Sequence, residues 1–326
     1  MTNRSQRALI GLLALAALAR PASAWEQKGH TLINRLAAVN MPADTPAFFK
    51  DAADRLAYLG PEPDRWKVNS GDQLYAVNGP DHFMDMEPVL DQTFPKDRYR
   101  FISMLETSGI LEKHHLTPDK LGFLPYRIAE VTQTLQSEWR DWKKAKTSSD
   151  AAVKATTPQI ELDIIYTAGV LGHYVGDGSN PMHTTVHFNG WDTAYAPNPK
   201  GYTTAEAERP LRSKGFHGRV EGDFVDVVID EKDVDSLVAP LKPVGPILDS
   251  AVAYLKVSNG QVARMYDLEK EGAFSVAAPG ADGKRFIQER LAAGASELRD
   301  IWAMAMHGVS PRQPAAKAEG KADGGN

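Results

Sequence analysis

The 326-residue sequence contains no cysteine. Without a thiol it can build no disulfide framework, no thiolate zinc finger and no cysteine nucleophile. Positive charge is outnumbered as well, 37 Lys and Arg against 42 Asp and Glu, for a formal net charge of −5. A protein that coats nucleic acid by charge alone needs clustered cations, so that class is excluded. The 42% apolar content excludes a collagen-like or broadly disordered chain. Alternating strand patterns are scarce, and the apolar run from Ala8 to Ala19 is too short for an ordinary transmembrane helix. What the chain does have is nine histidines. Any metal site must therefore use imidazole, carboxylate and backbone groups.

Residues 1–24 read as a leader. Arg4 and Arg7 precede the apolar run, and Ala22-Ser23-Ala24 offers small residues for signal peptidase. Cleavage after Ala24 would expose Trp25 as the N-terminus and, by removing three arginines, lower the net charge from −5 to about −8. The expected location is periplasmic or secreted. Helical periodicity dominates the remainder. Leu32, Ile33, Leu36, Ala37 and Val39 recur on one side of a segment that stops before Pro42. Ile128, Val131, Leu135, Trp139 and Trp142 mark a helix between Phe123 and Lys146. Pro158 opens a run with Ile160, Ile164, Ile165, Val170 and Leu171, and Val220, Phe224 and Val227 mark another. Ile287, Leu291, Leu298, Ile301 and Trp302 mark a long final helix. Gly60 to Pro80 is expected to be a loop, and Thr184 to Gly215 a long polar excursion between helices. The expected fold class is all-α, a single multi-helix domain over 25–310, followed by a low-complexity tail at 311–326.

His173-Tyr-Val-Gly-Asp177 places an imidazole and a carboxylate at i and i+4, on one helix face. His183 follows beyond a Gly-Ser-Asn-Pro turn, and His217-Gly-Arg-Val-Glu221 repeats the spacing. His82 closes the Pro- and Gly-containing segment, with Asp64 before it, and His30 lies close behind Trp25. A lone pair of this kind is ordinarily a surface hydrogen bond. Two pairs flanking a third histidine, beside the apolar run Ala168 to Leu171, point to metal, because unpaired buried charges cost several kcal/mol and a cation satisfies several ligands together. Nitrogen and oxygen donors without sulfur suit zinc, with manganese and iron left open.

The ordered set Trp25, Gly29-His30, Asp64, His82-Phe-Met-Asp85, His173-x-x-x-Asp177, His183 and His217-x-x-x-Glu221 resembles the superfamily of zinc-dependent phospholipases C and single-strand-specific nucleases of the S-one/P-one type. The resemblance runs from Trp25 to Glu221 and includes the long final helix. It implies an all-helical fold with three Zn2+ per chain. One zinc would take Asp64, His82, His173 and one oxygen of Asp177. A second would take His183, His217 and Glu221. The third would take the other Asp177 oxygen, His30, and the α-amino nitrogen and carbonyl oxygen of Trp25. A terminal amine has a pKa near ~8, so zinc can displace its proton; an uncleaved Trp25 offers only an amide nitrogen. The nucleases and phospholipases named here differ at the last ligand, where Glu221 and the preceding Gly215-Phe216 are phospholipase-like, whereas His30 at its distance from Trp25 is nuclease-like. The ligand set thus leaves the substrate open.

Clustered dications suit hydrolysis of phosphate esters by an activated water, and Asp64 is the candidate to orient or deprotonate that water, or else a ligand only. In the phosphatidylcholine-specific relatives an acid, a tyrosine and a phenylalanine line the choline site; Lys28, Arg65 and Gly79 hold those places here, two cations that would repel a quaternary ammonium and no aromatic wall. In the nucleases the aromatic after the histidine stacks on a base, worth roughly 1–3 kcal/mol, and the acid two further on reads the base edge. Phe83 and Asp85 hold these positions. Lys28, Arg65 and Lys67 are expected around the site. The expected activity is a secreted zinc phosphodiesterase acting on single-stranded nucleic acid or nucleotides, with no stable protein partner. The alternatives are a phospholipase C acting on phospholipid and a non-catalytic zinc-binding protein. His114 and His115 are expected to be solvated, His307 to lie near the end of the last helix where a cation is favoured, and His187 either to touch substrate or to pack the long excursion, which also carries Trp191 and Tyr195.

Overall fold

A computed structural model describes residues 25–67, 71–204 and 215–308. The expected leader at 1–24 and the tail at 311–326 lie outside the described residues. Among those described there is no strand, only isolated backbone bridges, and the fold is all-helical. Helix α1 spans Glu26–Val39, α2 Ala53–Leu59, α3 Glu62–Lys67, α4 Asp72–Asn78, α5 Leu124–Thr147, α6 Thr157–Ser179, α7 Ile247–Asn259 and α8 Ala281–His307.

Helix α6 is the axis of the molecule. It packs against α5, α8, α2, α1 and α7, and every residue from Ala168 to Ser179 is buried. A helix wetted on no side must meet its neighbours closely. Gly172 permits this on the α1 side, where a Cβ would fall 1.9 Å from Oδ1 of Asn34. Asn34 is buried and its amide bridges the two layers, donating to the carbonyls of Leu56 and Gly169, both at 2.8 Å. Helix α8 approaches from the other side through Trp302, whose indole N–H donates to the Ala168 carbonyl at 3.1 Å. In α5, Ile128, Val131, Leu135, Trp139 and Trp142 are all buried, as their spacing requires.

Three sequence expectations change. The stretch Gly60 to Pro80 is not simply a loop, because α3 and α4 lie within it. Pro61 and Pro63 fall before and within the first turn of α3, where a missing N–H removes no intrahelical bond. Val39, grouped with the apolar face of α1, is 60% exposed at the helix end. Val227, grouped with Val220 and Phe224, is 67% exposed. The reason is that 215–228 is not one regular helix: an α-turn at Gly215–Gly218 passes into a π-turn at Arg219–Phe224 before α geometry returns at Val225–Val228. The wider winding shifts the phase of later side chains.

Candidate metal centre

Six separate chain regions deliver the candidate ligands to one place. His30 comes from the first half of α1 and Asp64 from α3. His82 ends a single 3-10 turn, Gly79–His82, and His173 and Asp177 come from the buried end of α6. His183 ends a second 3-10 turn opened by Asn180, whose side chain accepts from the Met182 N–H at 3.0 Å. His217 and Glu221 lie on the broken helix, Glu221 within its π-turn, a local geometry frequent at functional sites.

These side chains converge in three groups, each able to hold a metal ion: His30, His173 and Asp177; Asp64, His82 and His173; and His183, His217 and Glu221. The spacing within them is short. Nε2 of His173 lies 2.9 Å from Nδ1 of His82 and 3.4 Å from Oδ2 of Asp177. Nδ1 of His82 lies 3.1 Å from that same oxygen and 3.8 Å from Oδ1 of Asp64. Nε2 of His30 is 3.4 Å from Oδ1 of Asp177, and Nε2 of His183 is 3.2 Å from Oε1 of Glu221. His217 also bonds Glu221 directly, and the two imidazole nitrogens of His183 and His217 stand 3.1 Å apart. Asp177 thus offers its two oxygens in two directions.

The outer partners decide which nitrogen is free. Nδ1–H of His173 donates to the Gly60 carbonyl at 2.9 Å, and Nδ1–H of His183 to the His82 carbonyl at 2.7 Å. Each bond leaves the Nε2 lone pair pointing into the cluster, as for a metal ligand oriented by a backbone carbonyl. Burial favours neutral imidazole here. It lowers His30 to a pKa of about 4 and holds His82 and His173 well below the usual histidine value. Burial also pushes Asp177 well above the carboxylate range. At Glu221 burial acts the same way, but His217 and His183 beside it outweigh it and hold the carboxyl at about 2.

The donor set fits a cation. Both nitrogens of His30, Nε2 of His82, Oδ1 of Asp177 and Oε2 of Glu221 are buried with no hydrogen-bond partner among the described residues. Unpartnered polar atoms at this density are costly, and a cation would satisfy the acceptors among them. A dication would also reverse the shift on Asp177, since it favours the ionised form.

Trp25 is fully buried, and its indole N–H donates to the Gly176 carbonyl at 2.8 Å and to Ser179 Oγ at 3.0 Å. That fixes it beside the His30 and Asp177 group. Its carbonyl accepts from the Gly29 N–H at 3.0 Å in the first turn of α1.

Of the three expected cations, only Lys67 is at the cluster, 2.9 Å from Oδ1 of Asp64. Lys28 is turned away. Its ammonium donates to the carbonyls of Val225, Asp226 and Ile229 at 3.1, 2.9 and 2.7 Å, where cations are favoured at a helix C-terminal end. Arg65 pairs with Glu62 and lies 4.3 Å over the Tyr58 ring. Repulsion of a quaternary ammonium by these two residues therefore falls away as an argument about substrate.

Phe83 is half-buried against Gly122, and Asp85 is 9% exposed. Burial, and then the charge of Glu87, raise the Asp85 carboxyl well above its ordinary value. Its side chain makes no hydrogen bond or ion pair among the described residues. His187 packs the excursion, stacked on Trp191 at 4.0 Å and 8°. His114 is half-buried and stacks on Tyr195 at 4.9 Å, so of that pair only His115 is exposed as expected, while His307 lies in the last turn of α8.

Sequence reading missed the supporting residues. Asn180 donates to Glu221, Asn189 Oδ1 accepts from the His217 N–H at 3.2 Å, and Glu87 accepts from the Val186 N–H at 3.1 Å and from Asn259 at 2.8 Å. Asn180 stood in a visible turn; nothing marked the others. No protein-family model matches the chain, and no curated protein matches it.

Proposed function

We propose that the chain is a zinc-dependent phosphodiesterase with the phospholipase C/nuclease fold, acting on single-stranded nucleic acid or nucleotides. The observation that carries this reading is the convergence of imidazoles and carboxylates, all of them buried except the half-buried His217, into three groups, two of which share His173. Asp64, His82, His173 and Asp177 would hold one zinc, and His183, His217 and Glu221 a second. His30, Asp177 and the N-terminal amine and carbonyl of Trp25 would hold the third. Bound zinc supplies Lewis-acid stabilisation of the phosphate oxygens and a water that ionises near neutrality.

The chain's own residues do the rest. Asp177 and Glu221 are wholly buried, whereas the side chain of Asp64 retains 9% exposure. Asp64 is therefore the carboxylate that accepts or directs the proton of the attacking water, and Lys67 restrains its other freedom. Phe83, half-buried, supplies the ring for stacking on a base. Asp85, buried and without a side-chain hydrogen bond among the described residues, offers its carboxyl group to a base edge. No residue is required as a covalent nucleophile.

Processing enters as part of the site. Trp25 and Glu26 both have left-handed backbone, φ 44° and 39°, a conformation costing roughly 1–2 kcal/mol per residue outside glycine. Cleavage after Ala24 removes the restriction on φ at Trp25 and creates the amine. The proposed location is periplasmic or secreted.

The phospholipase C reading is retained on one residue, Glu221 at the last ligand position. Purified protein with a sequenced N-terminus at Trp25, loaded with zinc, should release nucleotides from RNA and single-stranded DNA. Release of phosphocholine from phosphatidylcholine vesicles without nucleotide release would overturn the nuclease reading. Three bound zincs in a protein with no turnover of any phosphodiester would favour a binding protein. Normal activity in a Met-extended form would contradict the role of Trp25.

A further inference from the structure

Phe188 is 50% exposed, yet the chain around it is held tightly. The Tyr266 hydroxyl is buried and donates to the His187 carbonyl, while the Gly190 N–H donates to the same hydroxyl at 2.9 Å. The His187 ring is clamped against Trp191, and its Nδ1 accepts from the Asp192 N–H at 3.0 Å. Asn189 is turned onto the broken helix, accepting from the His217 N–H. With 187, 189 and 190 all fixed, Phe188 cannot fold inward without breaking a bond on either side. Its ring stands edge-on to His217, 6.1 Å between centroids at 70°. A large apolar ring held out of the core beside a candidate ligand is a feature that burial does not explain.

We infer that Phe188 is a base-stacking surface on the His217 side of the centre, a specificity-determining residue that holds a nucleobase flanking the scissile phosphate. Phe83 follows His82, whose carbonyl accepts from Nδ1–H of His183, a member with His217 of one candidate ligand group. Two aromatics near the ligands would let a strand lay unstacked bases on protein, while a paired duplex, its bases occupied with one another, would gain nothing from either ring. This inference rests on the nuclease reading and adds a second contact to it.

The test uses the processed zinc protein with Phe188→Ala, Phe188→Leu and Phe188→Trp, a deoxydinucleotide, and methyl p-nitrophenyl phosphate as a phosphodiester lacking a base. Zinc content and melting temperature establish that each variant is folded and loaded. Phe188→Ala should raise KM for the dinucleotide about tenfold, and lower by about the same factor the preference for it over the simple diester. Phe188→Trp should restore both and Phe188→Leu neither. Quenching of 2-aminopurine 5′-monophosphate fluorescence should follow the same order. An unchanged KM in Phe188→Ala, or full rescue by leucine, would overturn the stacking role while leaving the nuclease reading intact. A wild-type protein that cleaves no dinucleotide would overturn both.

Discussion

The imidazole of His30 lies directly on the backbone of Gly176: a Cβ at that glycine would stand 2.9 Å from the His30 Nδ1. The contact lets α1 approach α6 closely enough for the His30 ring to stack on His173 at 3.9 Å and to reach Asp177. Gly176→Ala should therefore push His30 out of the cluster. The expected result is a stability loss of about 1–3 kcal/mol from overpacking, together with loss of metal. Elemental analysis and thermal melting check it; full metal content in this variant would show that His30 has room to move.

Behind His82 lies a buried charge network that should be strongly coupled. Asp81 is 2% exposed and accepts from Arg98 at 2.9 Å, with Arg127 at 3.5 Å. Arg98 also pairs with Glu130 at 2.6 Å. Arg98→Met removes the main partner and leaves a buried carboxyl, whose pKa burial already raises against the pull of both arginines. The expected cost is about 3–5 kcal/mol, read by urea unfolding. Asp81→Asn in the same background should recover part of it.

Glu138 sets a pH dependence far from the cluster. Burial raises its carboxyl from 4.5 to about 7, although Thr167 donates to it. A raised carboxyl pKa means that the folded state binds the proton more tightly, so stability is highest at low pH and falls as pH climbs from about 4.5 through about 7. Glu138→Gln should match the wild type in melting temperature at pH 5 and exceed it at pH 8. Equal melting temperatures at both values would show that the carboxyl ionises freely.

Chelation should act on both stability and turnover. A ligand that binds only the folded state at a thousandfold excess over Kd adds about 4 kcal/mol. Dialysis against EDTA should accordingly lower the melting temperature and abolish phosphodiester hydrolysis, and added zinc should restore both. Retained activity after verified removal would eliminate the proposed chemistry.

The sequence made the long helices legible, because Ile128, Val131, Leu135, Trp139 and Trp142 repeat at helical steps on a face that is buried throughout. It also made two pairs of candidate ligands legible, since His173 and Asp177, and His217 and Glu221, lie at i and i+4 and approach one another. It could not show which positions come together from 30 to 221, because that depends on how far α1 sinks onto α6, a matter of Gly172, Gly176 and Asn34 meeting across two helices. Lys28 was misread for a related reason. Its charge suggested a site for anions, but its reach is spent on three carbonyls that only the broken helix brings within range. The helices within Gly60 to Pro80 were hidden by prolines whose effect depends on where in a turn they fall.

That lysine has a mechanical meaning. Lys28 lies between Trp25 and His30, and the carbonyls it grips begin just beyond the π-turn that carries Glu221. The two ends of the cluster, almost 200 residues apart in the chain (roughly the span over which loop closure is costly), are thus stapled by the polypeptide itself. The spacing of the two segments is thereby set in part by the chain itself. A frame of that kind should admit or refuse ions by radius and coordination number: cobalt in place of zinc should enter without rearrangement, while calcium, which wants more and longer oxygen contacts, should find no way to fit.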